Sequence, residues 1–522
     1  MPRRPAPAAA VEYLPIVVVG GGPVGLTLAL DLARRGRRVT VLNKLDFIAA
    51  GSKAICFSKR TLDIWDRLGV GECMVERGVV WNLGKVFWGS DTQPIYQFDL
   101  LPVKDQKMPA FINLQQYRAE EVLVEALMKC DGVDLRWGHE VTGVVLRADR
   151  VRLRVSTDGS AYEIEAEWLV ACDGSRSSIR QALGLAFEGR EFEDRFLIAD
   201  VKMTTSRAAE RWFWFDPPFN PGQSALLHKQ PDDLWRLDFQ LGRDDRTACI
   251  DPDKVEPLIR GLLGQGVPFT PEWYSLYTFQ CRRMARFMHG RVIFAGDSAH
   301  LVSPFGARGC NGGVADADNL AWKLDLVMSE AAPVSLLESY DHEAIVTADE
   351  NIRHSTRSTD FLTPKSPVSR AFRDAVLELA REHTFARPFV NSGRLSTAVS
   401  YPNSPLNTPD ELDDVWIGGL VPGSPPLDAP LDAPLGGRWL LEQLGERFVV
   451  LARDWQGALP AGVELVEWNA NQGEGDVLSK RWDLAPGSAY LLRPDQYVAA
   501  RWRAPTTESI TAALQRAKGL SA

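Results

Sequence analysis

Ile16-Val-Val-Val-Gly-Gly-Gly-Pro-Val-Gly25 is the stretch that decides the fold. The β-branched run predicts a strand, and Gly20, Gly22 and Gly25 form G-x-G-x-x-G at the turn into a helix. The first glycine permits the tight turn, the second lets backbone approach a pyrophosphate, and the third lets helix and strand pack closely. A helical pattern and a second strand from Arg38 to Leu42 follow. This order predicts a Rossmann-type α/β domain that binds a dinucleotide.

One position departs from the dinucleotide-binding pattern. That pattern places an acidic residue for a ribose hydroxyl about 20 residues on, at the end of the second strand. This chain has Asn43 there, followed by Lys44. An amide can still hydrogen-bond a ribose, although without help from a charge. The alternative interpretation is that Asn43 is a turn residue and that Asp46 or no residue takes the role.

Two further apolar strands end in a glycine and an acid. Glu167 to Gly174 ends in Asp173-Gly174, and Val292 to His300 contains Gly296-Asp297. A carboxylate at the end of a buried strand suits a sugar or ribityl hydroxyl. The glycine-rich loop after His300 leads into a helical pattern, where backbone N–H groups and the helix dipole favour a phosphate or a flat polar ring.

Length and composition exclude several classes of protein. The 522 residues are too many for one core and predict several domains. A net charge of -9 argues against nucleic acid or an anionic membrane as a partner. No apolar run approaches the roughly 18 residues of a transmembrane helix. Residues 1–10 lack the apolar core of a signal peptide and are predicted to be a disordered tail.

The cysteines indicate a reducing compartment. They number seven, are scattered, and form no C-x-x-C pair. This pattern is typical of a cytoplasmic protein without a disulfide framework or a metal site.

The order of the three strand-end motifs resembles a known family. The first motif is G-x-G-x-x-G, the second is D-G-x-x-S-x-x-R from Asp173 to Arg180, and the third is G-D-x-A-H from Gly296 to His300. This series is similar to that of the FAD-dependent aromatic hydroxylases of the para-hydroxybenzoate and phenol hydroxylase type. The 3-(3-hydroxyphenyl)propionate and chlorophenol hydroxylases look most similar. The resemblance runs from Pro15 to Glu350. It implies an NAD(P)H- and FAD-dependent monooxygenase that uses O2 and a flavin C4a-hydroperoxide to hydroxylate a substituted phenol, with NADPH or NADH left open.

The same resemblance implies which residues hold FAD. Arg60 would reach the pyrophosphate, Gln116 would face the flavin side chain, and Asp297 would bind the ribityl chain. Pro304 would border the isoalloxazine ring. The complete predicted cofactor-binding set is Gly20, Gly22, Gly25, Asn43, Lys44, Arg60, Gln116, Asp173, Gly174, Gly296, Asp297, Pro304, Gly309, Cys310, Asn311 and Gly312.

Resemblance and composition together predict the domain organisation. The FAD-binding domain is expected in three segments, residues 11–80, 109–185 and 282–390. A mostly antiparallel β-rich substrate domain is expected at residues 81–108 and 186–281. A Pro-rich linker over 391–435 would precede a thioredoxin-like domain over 436–522, which has no C-x-x-C and so a structural or dimer-contact role. The predicted fold class is therefore α/β with an inserted β domain and a thioredoxin-like C-terminal domain, in a possible homodimer.

The residue that assists the phenol stays open. His228 lies on a predicted strand and could act as a base, or could be a packed histidine. Arg236 matches a family arginine that responds to flavin movement, or lies on a solvated sheet face. Pro304 is the third catalytic candidate. Tyr274 and Tyr277 are further candidates for which core packing is the alternative.

Other functions also stay open. Trp212 to Pro217 forms W-x-W-x-x-P, which resembles a motif of flavin-dependent halogenases, although an aromatic strand beside a substrate pocket explains it as well. A halogenase, an epoxidase or a reductase is therefore the first alternative. A non-catalytic FAD-binding interaction protein is the second.

Overall fold

The computed structural model describes residues 11–49, 54–101, 103–242, 252–390, 395–412, 414–431, 439–468 and 477–520. The predicted tail at residues 1–10 lies outside them. The strands are β1 (Glu12–Val19), β2 (Val39–Asn43), β3 (Cys56–Ser58), β4 (Val79–Trp81), β5 (Leu83–Trp88), β6 (Tyr96–Asp99), β7 (Phe111–Asn113), β8 (Val133–Trp137), β9 (Glu140–Leu146), β10 (Val151–Thr157), β11 (Ser160–Ala171), β12 (Glu188–Lys202), β13 (Arg211–Phe215), β14 (Ser224–Lys229), β15 (Leu234–Gln240), β16 (Thr270–Arg283), β17 (Met288–His289), β18 (Val292–Phe294), β19 (His300–Leu301), β20 (Phe448–Arg453), β21 (Val463–Trp468), β22 (Ala489–Leu492) and β23 (Val498–Trp502). The helices are α1 (Pro23–Arg34), α2 (Lys59–Arg67), α3 (Gly71–Arg77), α4 (Gln116–Leu127), α5 (Ser178–Ala182), α6 (Pro252–Leu263), α7 (Gly309–Met328), α8 (Leu336–Leu362), α9 (Pro367–Glu382), α10 (Leu440–Gln443), α11 (Val477–Trp482) and α12 (Thr507–Ala517).

The first sheet has the fingerprint strand at its centre. Its order is β17-β18-β11-β1-β2-β8, and β18, β11, β1, β2 and β8 run parallel. Val19 pairs with Ala171, and Ala171 pairs with Phe294, so β1, β11 and β18 end at the same level. Because parallel strands present their carboxyl ends at one edge, the residues that follow these three strands meet there.

The second sheet is built mainly from residues 81–108 and 186–281, the segments predicted for the substrate domain, and the end of β16 and strand β19 extend it beyond them. Its order is β19-β16-β12-β15-β14-β13-β5-β6, with every pair antiparallel except β13 with β5. One face packs against α6 through Val255, Ile259 and Leu262, and is called the outer face. The opposite, inner face packs against Phe305, which belongs to the glycine-rich loop of the first domain.

The C-terminal unit is a four-stranded sheet in the order β21-β20-β22-β23. β20 and β21 are parallel, whereas β22 is antiparallel to both β20 and β23. The described residues of the proline-rich stretch, 395–412 and 414–431, form no helix or strand. No helix in the described part of the chain is long and apolar enough to cross a membrane.

Candidate functional site

The fingerprint loop touches the second strand-end motif. Gly20 has a φ of +114°, and a Cβ on it would lie 2.2 Å from the carbonyl oxygen of Cys172. A Cβ on Gly25 would lie 2.1 Å from the carbonyl oxygen of Gly20. Both positions therefore need glycine because backbone occupies the space of a side chain. This contact places Asp173 beside the start of α1.

The third motif packs against the same helix. A Cβ on Gly313 would lie 2.5 Å from Cγ2 of Val24 and 3.0 Å from Cα of Gly296. The Gly296-Asp297 turn, α7 and α1 therefore approach one another as closely as backbone allows. The three motifs, far apart in sequence, form one edge of one site.

Hydrogen bonds between motifs hold this edge together. Arg180, the last residue of the second motif, donates from Nη1 to the carbonyl of Ser298 at 2.7 Å and from Nη2 to that of Ser175 at 2.8 Å. Asp316 Oδ2 accepts from the backbone N–H of Gly296 at 2.9 Å and lies 2.6 Å from Nε2 of His300. Burial opposes charging of His300, but the Asp316 carboxylate outweighs it and raises the pKa of the imidazole.

Removing the buried carboxylate of Asp316 tests this arrangement. We expect Asp316→Asn to lower the free energy of unfolding by about 3 kcal/mol and to weaken FAD binding, because an uncharged amide replaces the carboxylate that serves both Gly296 and His300 in the turn around Asp297. A raised folded pKa of His300 gives stability that is present below its unfolded pKa and lost as pH rises through the folded value. The loss in urea unfolding should therefore be larger at pH 6 than at pH 9.

The control for this variant is Asp325→Asn on the same helix. Asp325 accepts from Arg37 in a partly exposed ion pair, so its loss should cost under about 1 kcal/mol. Equal unfolding curves for Asp316→Asn and the wild type would contradict the proposed role of the pair.

The start of α1 has room for a phosphate. Gly22 has a φ of -86° and precedes the first residue of the helix, and a Cβ placed on it meets no atom within 4 Å. The described structure has no side-chain cap at this helix end, and backbone N–H groups at a helix start can bind an anion. Asn43 accepts from the N–H of Gly21 at 3.1 Å and donates to the carbonyl of Leu45 at 3.2 Å, so its amide braces the fingerprint loop. Lys44 is exposed.

The glycine-rich loop forms the other side of the site. Helix α7 begins at Gly309, where a Cβ would lie 4.0 Å from Oδ1 of Asp297. Asn311 Oδ1 accepts from the N–H of Ser58 at 2.9 Å, and its Nδ2 donates to the carbonyl of Cys56 at 3.0 Å. The Asn311 side chain therefore fixes the loop to β3. Pro304 is exposed at the beginning of the loop.

Three other predicted residues have distinct surroundings. Arg60 donates to Asp318 Oδ2 and to the carbonyl of Asp495, both at 2.7 Å, so its guanidinium faces the C-terminal unit. Gln116 starts α4 and accepts from the N–H of Ala54 at 3.1 Å. Asp173 Oδ2 accepts from the N–H of Ile179, while its buried Oδ1 has no partner among the described residues. The assignments of all three to FAD stay predictions.

Aromatic side chains cover half of the inner face of the second sheet. Phe305 in the glycine-rich loop lies 4.9 Å from Phe196 and 5.5 Å from Phe279, measured between ring centroids. Phe213 and Phe215 of β13 belong to the same buried cluster. Trp212 and Trp214 pack on the outer face instead. The tryptophans of the W-x-W-x-x-P stretch therefore point away from the glycine-rich loop, which gives the halogenase alternative no support.

The other half of the inner face carries polar groups, here called the polar row: Arg211, His228, Arg236 and Asp200, which are buried, and Asp238, which is partly exposed. His228 pairs with Arg236 across β14 and β15, and Arg236 pairs with Asp200 on β12. The Arg236 guanidinium donates twice to Asp200, at 2.8 Å each. His228 Nε2 lies 3.6 Å from Asp238 Oδ2.

The polar row lies next to the first domain. Asn113 donates from Nδ2 to the carbonyl of Lys229 at 2.7 Å and accepts from the Cys56 thiol at 3.1 Å. Since Cys56 also binds Asn311, one chain of contacts joins the polar row to the glycine-rich loop. Both halves of the inner face thus border the region where the three motifs meet.

Burial shifts the titration of two members of the row. Burial, with Arg211 and Arg236 nearby, holds the pKa of His228 well below its usual range. Burial raises the pKa of Asp238 to about 6 despite the Arg236 charge. His228 is therefore a neutral imidazole near pH 7, whereas Asp238 changes charge in the physiological range.

Sequence reasoning named His228 and Arg236 as candidates but did not name Arg211, Asp200 or Asp238. The alternation of β15 contained a signal for Asp238, because residues two apart on a strand share one face. Arg236 and Asp238 therefore had to lie together. The sequence contained no comparable signal for Arg211 and Asp200, because they lie on other strands. Only the order of strands in the folded sheet brings them close to β15.

The comparisons with known proteins agree with this geometry. The family model described as "FAD binding domain" matches residues 13–355. A "6-methylpretetramide 4-monooxygenase" from Streptomyces rimosus is 31% identical, with 96% of this chain and 93% of that protein covered. A "3-(3-hydroxy-phenyl)propionate/3-hydroxycinnamic acid hydroxylase" from Mycolicibacterium gilvum is 28% identical, over 97% and 92%. The crystal structure of the flavin-dependent monooxygenase PieE with FAD and substrate has the same fold, with a TM-score of 0.80 at 22% identity, covering 98% of this chain and 100% of that one.

Proposed function

Because this chain belongs to the FAD binding domain family, with aromatic monooxygenases as full-length relatives, we propose that it is an FAD- and NAD(P)H-dependent monooxygenase that hydroxylates a phenolic aromatic compound. The observation that carries the proposal is the position of the inner face. Its aromatic half and its polar row both border the edge where the three nucleotide-binding motifs meet. An aromatic ring suits the first half, and a phenol oxygen suits the second.

The residues at the edge suit FAD. The open space over Gly22 and the helix start at Pro23 suit a pyrophosphate. The Asp297 carboxylate suits a ribityl chain, and the backbone at Gly309 suits a polar ring edge. The remaining residues predicted from the sequence are proposed to complete this site. Bound FAD would supply the acceptance of hydride from a reduced nicotinamide and the activation of O2.

The chain itself must orient the ring and exclude water. Phe196, Phe213 and Phe279 are packed with Phe305 in a buried aromatic cluster, which forms the apolar, water-excluding side of this region. We assign the proton of the phenol to Asp238. Its raised pKa makes its carboxylate a stronger base than the His228 imidazole, whose pKa is held well below its usual range. Arg236, held by Asp200, keeps a fixed positive charge next to this carboxylate.

The role of Asp238 predicts a pH profile. Below pH 6 its carboxyl group is protonated and cannot accept a proton, so kcat/KM should fall on the acid side with an apparent pKa near 6. We expect Asp238→Asn to remove this limb and to lower kcat about 100-fold. Asp232→Asn in the exposed turn before β15 is the control and should keep the wild-type profile. An unchanged acid limb in Asp238→Asn would assign the proton to another group.

The proposed activity is tested with the purified, FAD-loaded protein. Aerobic NADPH and NADH oxidation would be followed across a panel of phenols, and product mass would be measured in the same samples. A phenol that accelerates oxidation and gains one oxygen atom supports the proposal. Product formation without O2, or only in the presence of halide, would overturn it.

We also propose that the C-terminal unit is a thioredoxin-like domain without redox activity. The support is its sheet order with one parallel and two antiparallel pairs, followed by α12. Only residues 454–462 separate the parallel strands β20 and β21, so a crossover helix between them is missing. No cysteine follows Cys310 in the sequence, which excludes dithiol chemistry in this unit.

A further inference from the structure

Arg211 differs from the other arginine of the polar row. Arg236 shares two hydrogen bonds with Asp200, whereas Arg211 has no carboxylate within ion-pair distance among the described residues. Arg211 is only 6% exposed, and its Nε has no hydrogen-bond partner in the described part of the chain. A buried cation without a partner is costly, so a structural role alone leaves Arg211 unexplained.

The position of Arg211 relates it to a bound ring. Arg211, Phe213 and Phe215 alternate on β13, so all three side chains lie on the inner face. Residues two apart on a strand are separated by about 7 Å. A ring bound where this cluster meets the polar row would therefore bring a substituent within reach of the guanidinium. Nδ1 of the neighbouring His228 is also buried and without a partner among the described residues, and a neutral imidazole with its proton on Nδ1 can donate to the same substituent.

We propose that Arg211 is a specificity-determining residue that pairs with an anionic oxygen of the aromatic substrate, either a carboxylate or an ionised acidic phenol or enol. This inference rests on the proposed function, since it names the substrate class of the same site. A guanidinium binds such an oxygen with charge-assisted hydrogen bonds, and a water-excluded face strengthens them.

The test compares acids with neutral analogues on the FAD-loaded enzyme. Dissociation constants for 1-hydroxy-2-naphthoate and 1-hydroxy-2-naphthamide are measured from the absorbance change of bound flavin, without nicotinamide. We expect the wild type to bind the acid about 30-fold more tightly, Arg211→Met to reduce this ratio below about threefold, and Arg211→Lys to be intermediate. The ratio is taken within each variant, so general damage to the fold does not mimic the effect.

Arg207→Met is the matched control, because Arg207 lies over Trp212 on the outer face and donates to the carbonyl of Leu263. It should keep the wild-type ratio. A second pair, 4-nitrophenol and 4-nitroanisole, distinguishes the two sources of charge. A preference for the naphthoate that is constant from pH 6 to 9 indicates a carboxylate, whereas a nitrophenol preference that grows with pH indicates an ionised phenol.

Three outcomes would overturn the assignment of Arg211. They are equal binding of acid and amide by the wild type, an acid preference that survives in Arg211→Met, and no binding by any acid of the panel. Failure of the proposed function gives a different result, namely an intact acid preference with no nicotinamide-dependent oxygen transfer to any phenol.

Discussion

Gly22→Val should abolish tight FAD binding while leaving the protein folded. A Cβ on Gly22 meets no protein atom within 4 Å, and its φ of -86° is accessible to any residue, so valine adds no strain. The branched side chain would instead fill the space through which a pyrophosphate approaches the start of α1. We expect the dissociation constant of FAD to rise at least about 100-fold, with the melting temperature of the apoprotein unchanged.

Two other glycine substitutions make this result interpretable. Gly266→Val places the same side chain in open space on an exposed loop and should change neither property. Gly25→Val forces a Cβ to within 2.1 Å of the Gly20 carbonyl and should lower stability together with FAD binding. Wild-type affinity in Gly22→Val, measured by flavin fluorescence quenching, would show that the pyrophosphate lies elsewhere.

Glu343→Gln should be the most destabilising conservative change in the first domain. Glu343 is fully buried and accepts from Lys323 Nζ at 2.7 Å and from Arg493 Nη1 at 2.7 Å. Arg493 belongs to the C-terminal unit and also binds Asp495, so this cluster fastens the unit to α7 and α8. Burial opposes the charge of Glu343, yet Arg493 and Lys323 outweigh it and hold its pKa below the usual range.

Neutralising Glu343 leaves two buried cations sharing too few acceptors. We expect a loss of about 3–5 kcal/mol in the free energy of unfolding, with earlier proteolytic cleavage between residues 395 and 431. A depressed folded pKa gives stability that is present above the unfolded value near 4.5 and lost as pH falls. The difference between variant and wild type should therefore shrink in acid. Glu350→Gln, on a more exposed part of α8, should cost under about 1 kcal/mol.

The C-terminal unit also reaches the nucleotide-binding side through Arg60. This residue is predicted from the sequence to contact the pyrophosphate, and its guanidinium donates to Asp318 and to the Asp495 carbonyl. Asp495 in turn accepts from Trp322 at 3.0 Å. Asp495 therefore binds Arg60 and Trp322 of the first domain as well as Arg493 of its own unit.

Local patterns in the sequence determined the strand ends of the first domain. Each of these patterns involves residues close together in the chain. They are the β-branched run before Gly20, the helix after Gly22, and the pairs Asp173-Gly174 and Gly296-Asp297. Such signals follow from backbone geometry, which a short sequence encodes.

Tertiary structure alone decided which side chains share the inner face and how each charge is balanced. Arg211 on β13 and Arg236 on β15 are the same residue type in one sheet, yet only Arg236 forms an ion pair with a carboxylate of the described residues, because the sheet order places β12 beside β15. The raised pKa of Asp238 depends in the same way on the surroundings that the folded chain gives its carboxyl group. Strand order and burial are set by contacts between residues far apart in the chain, whereas the sequence fixes residue type and local geometry. The sequence therefore determined a flavoprotein hydroxylase fold, and only the folded chain decided where its buried charge lies.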